Sequence, residues 1–344
     1  MTLSSCLEQV NHGSIPKRLL AWYAENERPH PWRKLWEETN DPWTVWVSEV
    51  MLQQTVIAAV VNKYSRFMAR FPTVECFAAA SEEEIRPYVS GLGYYRRFSL
   101  LHKGSQQVLK GGFPQTHAEW SQISGVGSYT AAAMASITLN EGVGVVDGNV
   151  ERVLARVFEI KEIVSTPLWK KKLFSIMTDW TKETDKPGSL NQAVMELGQA
   201  ICSVRNPQCS ACPIQSHCRS LKSRTQHLCP KPKPPKEYLS TQIKVLVHQK
   251  GNELFLAKRS EKSIFLKGTY GFPFSYKEPL SRKTEYFVKH SITKHRITAE
   301  VCKSLSSPKE SGIWVPLDQV ESVLISSLDQ KVWKLFQKKL LATT

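Results

Sequence analysis

What most narrows the fold is a change of hydrophobic period across one proline-rich stretch, Pro230-Lys-Pro-Lys-Pro-Pro-Lys236. Proline fixes φ and removes backbone donors, so this stretch makes a stiff, extended connector and cannot continue a helix or a central strand. Upstream, from Pro16 to about Arg219, apolar residues recur at helical spacing. Trp43, Trp46, Val47, Val50 and Met51 form one such set, and Val150, Val153, Leu154, Val157 and Phe158 another. A further helix is expected from Ser189, with Leu190, Ala193, Val194, Leu197 and Ile201 on one stripe. Gly91, Gly111-Gly112 and Lys186-Pro187-Gly188 read as turns between helices. Downstream the period becomes two: Ile243, Val245 and Val247 alternate, Lys250-Gly251-Asn252 turns, and Leu254 and Leu256 alternate again, as in a β-hairpin. The chain closes with an amphipathic helix around Val332, Leu335, Phe336 and Leu340. A chain of 344 residues suits two domains. The expectation is an all-α domain over 1–228, a Pro/Lys linker over 229–238 and a smaller α+β domain over 239–344, with no internal repeat.

Charge bears on partners. The formal net charge is +15, which favours a polyanion whose condensed counterions are released on binding, with a solubility device as the bland alternative. Between Cys202 and Lys236 there are seven Lys or Arg residues and no acid. No run of eighteen apolar residues occurs, so no membrane-spanning helix is expected. The first residues lack the charged-then-apolar layout of a secretory signal. The expectation is therefore an intracellular, cytoplasmic protein, nucleoid-associated if bacterial. Four of the eight cysteines lie in one short segment, which in such a setting suggests a metal site over disulfides.

That segment reads Cys202-x6-Cys209-x2-Cys212-x5-Cys218, with Pro213 after the third cysteine. Zinc sites usually pair two knuckles across a longer loop, whereas one CxxC with unequal flanking spacers is closer to an iron–sulfur run. Iron–sulfur, zinc and unliganded thiols all remain open on spacing alone. Gly125-Val126-Gly127 is a short turn between helices whose glycines permit close backbone approach, although most such turns are connectors. Asp147 stands where a helix begins, so it is either a plain N-cap or a carboxylate at the mouth of a cleft. Glu49 lies inside the apolar run Val45-Trp-Val-Ser-Glu49-Val-Met-Leu, sharing a stripe with Leu52, Gln53 and Val56. Burial there would raise its pKa and let it hold a proton near neutrality, unless a salt bridge satisfies it.

Taken together, Pro31-Trp-Arg33, VWVSEVMLQQT (45–55), GLGYYRR (91–97), GVGSYT (125–130), VDGNVERVLAR (146–156), LNQAVMELGQAIC (190–202) and the four cysteines resemble the MutY family of adenine DNA glycosylases, within the helix–hairpin–helix superfamily. The resemblance covers nearly all of the first 220 residues. It implies an all-α helix–hairpin–helix glycosylase domain whose Cys202, Cys209, Cys212 and Cys218 hold a [4Fe–4S] cluster in a 202–218 loop. It also implies a smaller α+β Nudix-like domain, chiefly on Leu266-Lys-Gly-Thr-Tyr-Gly-Phe-Pro273, without the glutamate-rich hydrolysis motif of that fold. The implied reaction is hydrolysis of the N-glycosidic bond of adenine mispaired with 8-oxoguanine or guanine in double-stranded DNA, by a monomer.

By the same resemblance, Glu49 is the general acid and Asp147 stabilises the oxocarbenium, with Asn149 orienting Asp147 and Tyr129 contacting Glu49. Trp32 and Arg33 line the adenine pocket. Leu52, Gln53 and Gln54 probe the duplex while the base is out of the stack, Tyr94 and Tyr95 act from the opposite side, and Gly125, Val126 and Gly127 meet the backbone. In the second domain, Ile292 and Thr293 take the place of the family's Phe-Ser-His-like loop, as His290-Ser-Ile292-Thr293-Lys294-His295. That departure puts strict preference for the oxidised base in question. An endonuclease III-like bifunctional glycosylase/lyase is disfavoured because its lysine nucleophile would fall at Tyr129. A non-catalytic DNA-binding scaffold would need neither Glu49 nor Asp147.

Overall fold

The computed structural model describes residues 14–93, 95–234, 237–260, 262–276 and 286–339. Contacts divide the chain into two compact units, one of residues 1–82 and 94–234, the other of residues 83–93 and 235–344. The second unit thus takes up a short stretch from within the helical part of the sequence.

The first unit is helical: α1 Ser14–Asn26, α2 Pro31–Thr39, α3 Pro42–Leu52, α4 Ile57–Arg70 and α5 Val74–Ala78 are followed by α6 Glu82–Val89, most of which groups with the second unit. Then come α7 Arg96–Gly111, α8 His117–Trp120, α9 Ser128–Thr138, α10 Gly148–Val157, α11 Pro167–Lys182, α12 Pro187–Ala200 and α13 Arg219–Lys222. The start of α3 follows from local chemistry. Asp41 caps it by accepting from Trp43 N at 2.9 Å, and Pro42 occupies the first turn, where its missing N–H costs nothing. Every residue from Trp43 to Met51 is buried, and a helix apolar all round belongs in a core. Tyr64 Oη donates to Thr44 O and Trp43 Nε1 donates to Phe71 O, tying α3 to α4 and its end. A second core joins Ile15 and Leu19 of α1 to Val153 and Leu154 of α10, Trp180 of α11 and Leu197 of α12.

Two details depart from the sequence reading. Helix α12 begins at Pro187, not Ser189, because proline pre-sets the φ of a first helical turn even where Pro-Gly suggests a loop. Gly188 is required there, since a Cβ would lie 2.7 Å from Ser136 O and 2.8 Å from Ile137 Cα. Helix α3 stops at Leu52, and Gln54 turns left-handed at φ 54°, so Val56 leaves the Glu49 stripe and is 72% exposed.

The second unit is α+β. Its sheet runs β3 (Tyr270–Gly271), β2 (Glu253–Lys258), β1 (Leu239–Lys250), β6 (His295–Ser304), β5 (Phe287–Ile292), with β4 (Phe274–Ser275) on β1 and β7 (Gly312–Pro316) on β2. Strands β1 and β6 pair in parallel from Leu239↔His295 to His248↔Ser304, and β5 returns antiparallel to β6. Beyond α14 (Val320–Val323), α15 (Ser327–Lys339) contributes Val332, Trp333 and Phe336 to a core shared with Ile243, Val245 and Val247. A buried ion pair joins Arg259 Nη2 to Asp329 Oδ1 at 2.7 Å, and Asp329 Oδ1 also accepts from Phe272 N. Among the described residues, no helix is long and apolar enough to cross a membrane.

Candidate active site

Three elements of the first unit converge on Glu49. The residue projects from α3 and is only 9% exposed, and its carboxyl group is hydrogen-bonded to Tyr129 in the first turn of α9. Burial raises its pKa to about 7; the Tyr129 hydrogen bond opposes the rise, Asp147 adds to it and Arg33 opposes it. The Tyr129 hydroxyl, held well above its ordinary range by burial, also lies 3.5 Å from Met195 Sδ on α12. A proton is therefore shared between forms of Glu49 near neutrality, in a wall built from α3, α9 and α12.

Asp147 is the N-cap of α10. Its Oδ1 caps α10 by accepting from Asn149 N and Val150 N, each at 2.8 Å, and its Oδ2 accepts from Asn149 Nδ2 at 2.8 Å. These amide donors and the helix N-terminus fix the orientation of the Asp147 carboxyl group. Helix α12 fixes Asn149 from behind: a Cβ on Gly198 would lie 2.7 Å from Asn149 Cβ, so only glycine permits this approach. Arg152, one turn along α10, donates to Asn149 Oδ1 at 2.9 Å, to Gly198 O at 2.7 Å and to Cys202 O at 2.8 Å. A continuous polar chain thus runs from the Asp147 carboxylate to the first cysteine of the 202–218 loop.

The sequence reading missed the partners of Arg33. Its Nη2 meets Glu196 Oε2 at 2.9 Å, its Nε donates to Gln192 Oε1 at 3.0 Å, and Arg28 Nε meets Glu196 Oε1 at 2.6 Å. Glu196 is buried at 3% exposure. A carboxylate so deep persists because two guanidinium groups compensate it. The signal available was helical: Gln192, Glu196 and Gln199 lie on one face of α12, and Arg28 Nη2 donates to Gln199 Oε1. Trp32, buried at the start of α2, stacks on His30 at 4.6 Å and meets Tyr64 edge-on at 5.6 Å. Burial and the charges of Arg33 and Arg28 lower the pKa of His30.

Leu52, Gln53 and Gln54 form the turn that ends α3, with Gln54 exposed and Gln53 Nε2 within 3.4 Å of Thr130 Oγ1. Tyr95 precedes α7 and is half-buried, whereas Tyr94 lies outside the described residues. Gly125 takes φ 82° against Leu100, Val126 is buried, and Gly127 is the N-cap of α9. Ile292 and Thr293 belong to the second unit, at the β5–β6 turn. Thr293 is exposed at φ 51°, and Ile292 packs against that unit's core.

The four cysteines are free and half-buried, and the charges of Cys202, Cys209 and Cys218 each act on Cys212. Burial pushes the Cys212 thiol up to about 12 and the Cys218 thiol to about 11. Arg156 is buried at 4% exposure and donates to the carbonyls of Cys202, Ser203, Val204, Gln226 and Cys229, and to Cys202 Sγ at 3.3 Å. A guanidinium aimed at sulfur suits a thiolate set, which is what a metal cluster requires of its ligands. The donor chemistry thus fits a group held by four cysteines. Among the described residues, no three or more His, Cys, Asp or Glu side chains group as a single ion demands.

Residues 47–177 match the family described as HhH-GPD superfamily base excision DNA repair protein, which defines the class of the helical unit. A solved thermostable thymine-DNA glycosylase shares the fold, with a TM-score of 0.53 and 22% identity over 62% of this chain and 97% of that one. The adenine DNA glycosylase of Homo sapiens is 43% identical over 210 residues, 59% of this chain and 38% of that protein. The one from Buchnera aphidicola subsp. Acyrthosiphon pisum is 31% identical over 267 residues, 76% of this chain and 74% of that protein. The chain belongs to the adenine DNA glycosylase family. It spans 38% to 41% of the length of the mammalian relatives it matches.

Proposed function

We propose that the chain excises adenine mispaired with 8-oxoguanine or guanine in double-stranded DNA, as a monofunctional glycosylase. The observation that carries this reading is the pair of carboxyl groups in opposite settings: Glu49 buried with its pKa near 7, Asp147 solvated by amide donors at a helix start. A buried acid that holds a proton, set beside a second carboxyl group held by amide donors, is the arrangement glycosidic cleavage uses. Adenine leaves poorly as an anion, so protonated Glu49 delivers its proton to the ring at N7 as the C1′–N9 bond breaks, a contribution of roughly 10²–10⁴-fold. The electron pair of that bond departs with the base. Asp147 stabilises the positive charge left on the deoxyribose until water adds at C1′. Tyr129 keeps Glu49 oriented, and Asn149 and Arg152 keep Asp147 in place. Tyr129 holds no amine for a Schiff base, which favours simple hydrolysis over strand cleavage.

Cys202, Cys209, Cys212 and Cys218 are read as the ligands of a [4Fe–4S] cluster, supported by their mutual electrostatic influence and by Arg156. When bound, such a group braces the surrounding basic loop against a phosphate backbone. The second unit is read as Nudix-like, with Ile292 and Thr293 facing the base opposite adenine, and the protein as a monomer. The test uses duplexes with adenine opposite 8-oxoguanine, guanine, thymine or cytosine, quenched with and without hot alkali. Scission only after alkali, in the 8-oxoguanine and guanine duplexes alone, is expected. Adenine release from none of them overturns the proposal, and scission without alkali replaces it with a lyase.

A further inference from the structure

We infer that Arg97 is a positioning residue that clamps the turn after the Glu49 helix, holding Gln53 and Gln54 in the arrangement that drives adenine out of the stack; this rests on the excision reading above. Arg97 is 8% exposed although it sits in the first turn of α7. Its Nη1 donates to the Gln53 carbonyl and its Nη2 to Thr55 Oγ1 at 3.0 Å. The two acceptors flank Gln54, whose φ of 54° places a non-glycine residue in the left-handed region. Such a conformation is strained and persists only where its surroundings over-determine it. A planar, two-pronged guanidinium spanning both sides of the strained residue supplies that determination, and a lysine's single point charge cannot.

Placement gives the clamp its consequence. Gln53 is the C-cap of the helix that carries Glu49, one turn beyond the acid, and its side chain approaches Thr130, the neighbour of Tyr129. Position 54 is exposed. Releasing Arg97 lets Gln54 relax to an ordinary φ, which re-aims the exposed side chains without touching Glu49 or Asp147. Burial lowers the Arg97 pKa to about 10, so the group stays charged at neutral pH. Chemistry and base extrusion should therefore separate on mutation.

The experiment compares Arg97→Met, Arg97→Lys and Thr55→Val in the full chain. Unstacking is followed by the fluorescence of 2-aminopurine placed beside the target adenine, base release by single turnover, and the free protein by amide exchange. Arg97→Met fills the space but donates nothing. It is expected to slow unstacking and base release by about tenfold or more at saturating protein. It should also speed exchange of the 53–55 amides and leave the pH midpoint of excision where it was. Arg97→Lys, which keeps the charge but not the fork, should be slowed nearly as much, and full recovery by lysine overturns the inference. Wild-type unstacking in Arg97→Met overturns the inference, because packing alone would then suffice. If Arg97→Met does not fold, Thr55→Val decides: slower unstacking supports the clamp, and an unchanged rate overturns it. Unstacking and exchange are both read without adenine release. A wild-type protein that releases no adenine therefore overturns the functional reading, while the clamp stands or falls on these two signals.

Discussion

At the scale of single residues, the proposed chemistry is a matter of where one proton sits. Glu49 acts as an acid only while protonated, so excision should fall as pH rises through about 7. Single-turnover rates from pH 5 to 9 check this, and Glu49→Gln should lose roughly 10²–10⁴-fold throughout while still binding mispaired DNA. Stability carries the same sign. The folded pKa lies above the ordinary value of 4.5, so the folded state holds the proton more tightly than the unfolded chain. That contribution is complete below pH 4.5 and is lost as pH climbs to about 7, a change of order 3 kcal/mol. Glu49→Gln should flatten this part of the stability curve, and chemical denaturation at pH 5 and pH 8 measures it. The sequence made Glu49 visible because one carboxylate stood in an apolar helix. It could not show Arg28 and Glu196 meeting, since 168 residues separate them and nothing local marks the pair.

Elements decide whether those residues keep their distances. Helices α10 and α12 cross where Gly198 faces Asn149, and a methyl at 198 would have to displace the Asn149 backbone. Gly198→Ala should cost about 1–3 kcal/mol of stability through overpacking. Its loss of excision should exceed that of an equally destabilising core substitution such as Leu173→Ala, because Asn149 holds Asp147 Oδ2. Thermal melting and single-turnover rates together test this, and equal losses would refute it. The C-terminal part of α10 makes a parallel case. Arg156→Gln keeps a polar side chain but is shorter and loses most of the donors to the loop carbonyls and Cys202 Sγ. Less iron per purified chain is expected, with weaker visible absorbance. The helices themselves were legible from period and punctuation. Their ends were less so: Pro187-Gly188 reads equally as a turn or as a first helical turn, and packing of Gly188 on Ser136 decides for the helix. The C-terminal strands were legible as alternation, but alternation carries no strand order. That β1 pairs in parallel with β6, Leu239 with His295 and His248 with Ser304, depends on a core no short window contains.

For the whole molecule, the net charge of +15 is the one global property that the fold does not explain. Burial of apolar surface is indifferent to it, and like charges destabilise a compact state. Its consequence should appear where phosphates are met. Seven cations and no acid between Cys202 and Lys236 concentrate the field in the loop that follows the cysteines and in the connector beyond. If that segment tracks the duplex backbone, the logarithm of the affinity should fall linearly with the logarithm of salt, by about 0.9 per phosphate neutralised. Replacing Arg205, Lys222 and Arg224 with alanine should then reduce the slope by about three, as one contact is lost at each position. Discrimination between mispaired and paired duplex should survive, because phosphate contacts carry no base information. Titrations from low to high salt with both duplexes separate the possibilities. A slope unchanged in the triple variant would move the backbone contacts elsewhere on the chain. A lost preference for the mispair, with the slope intact, would instead make these residues part of how the lesion is read.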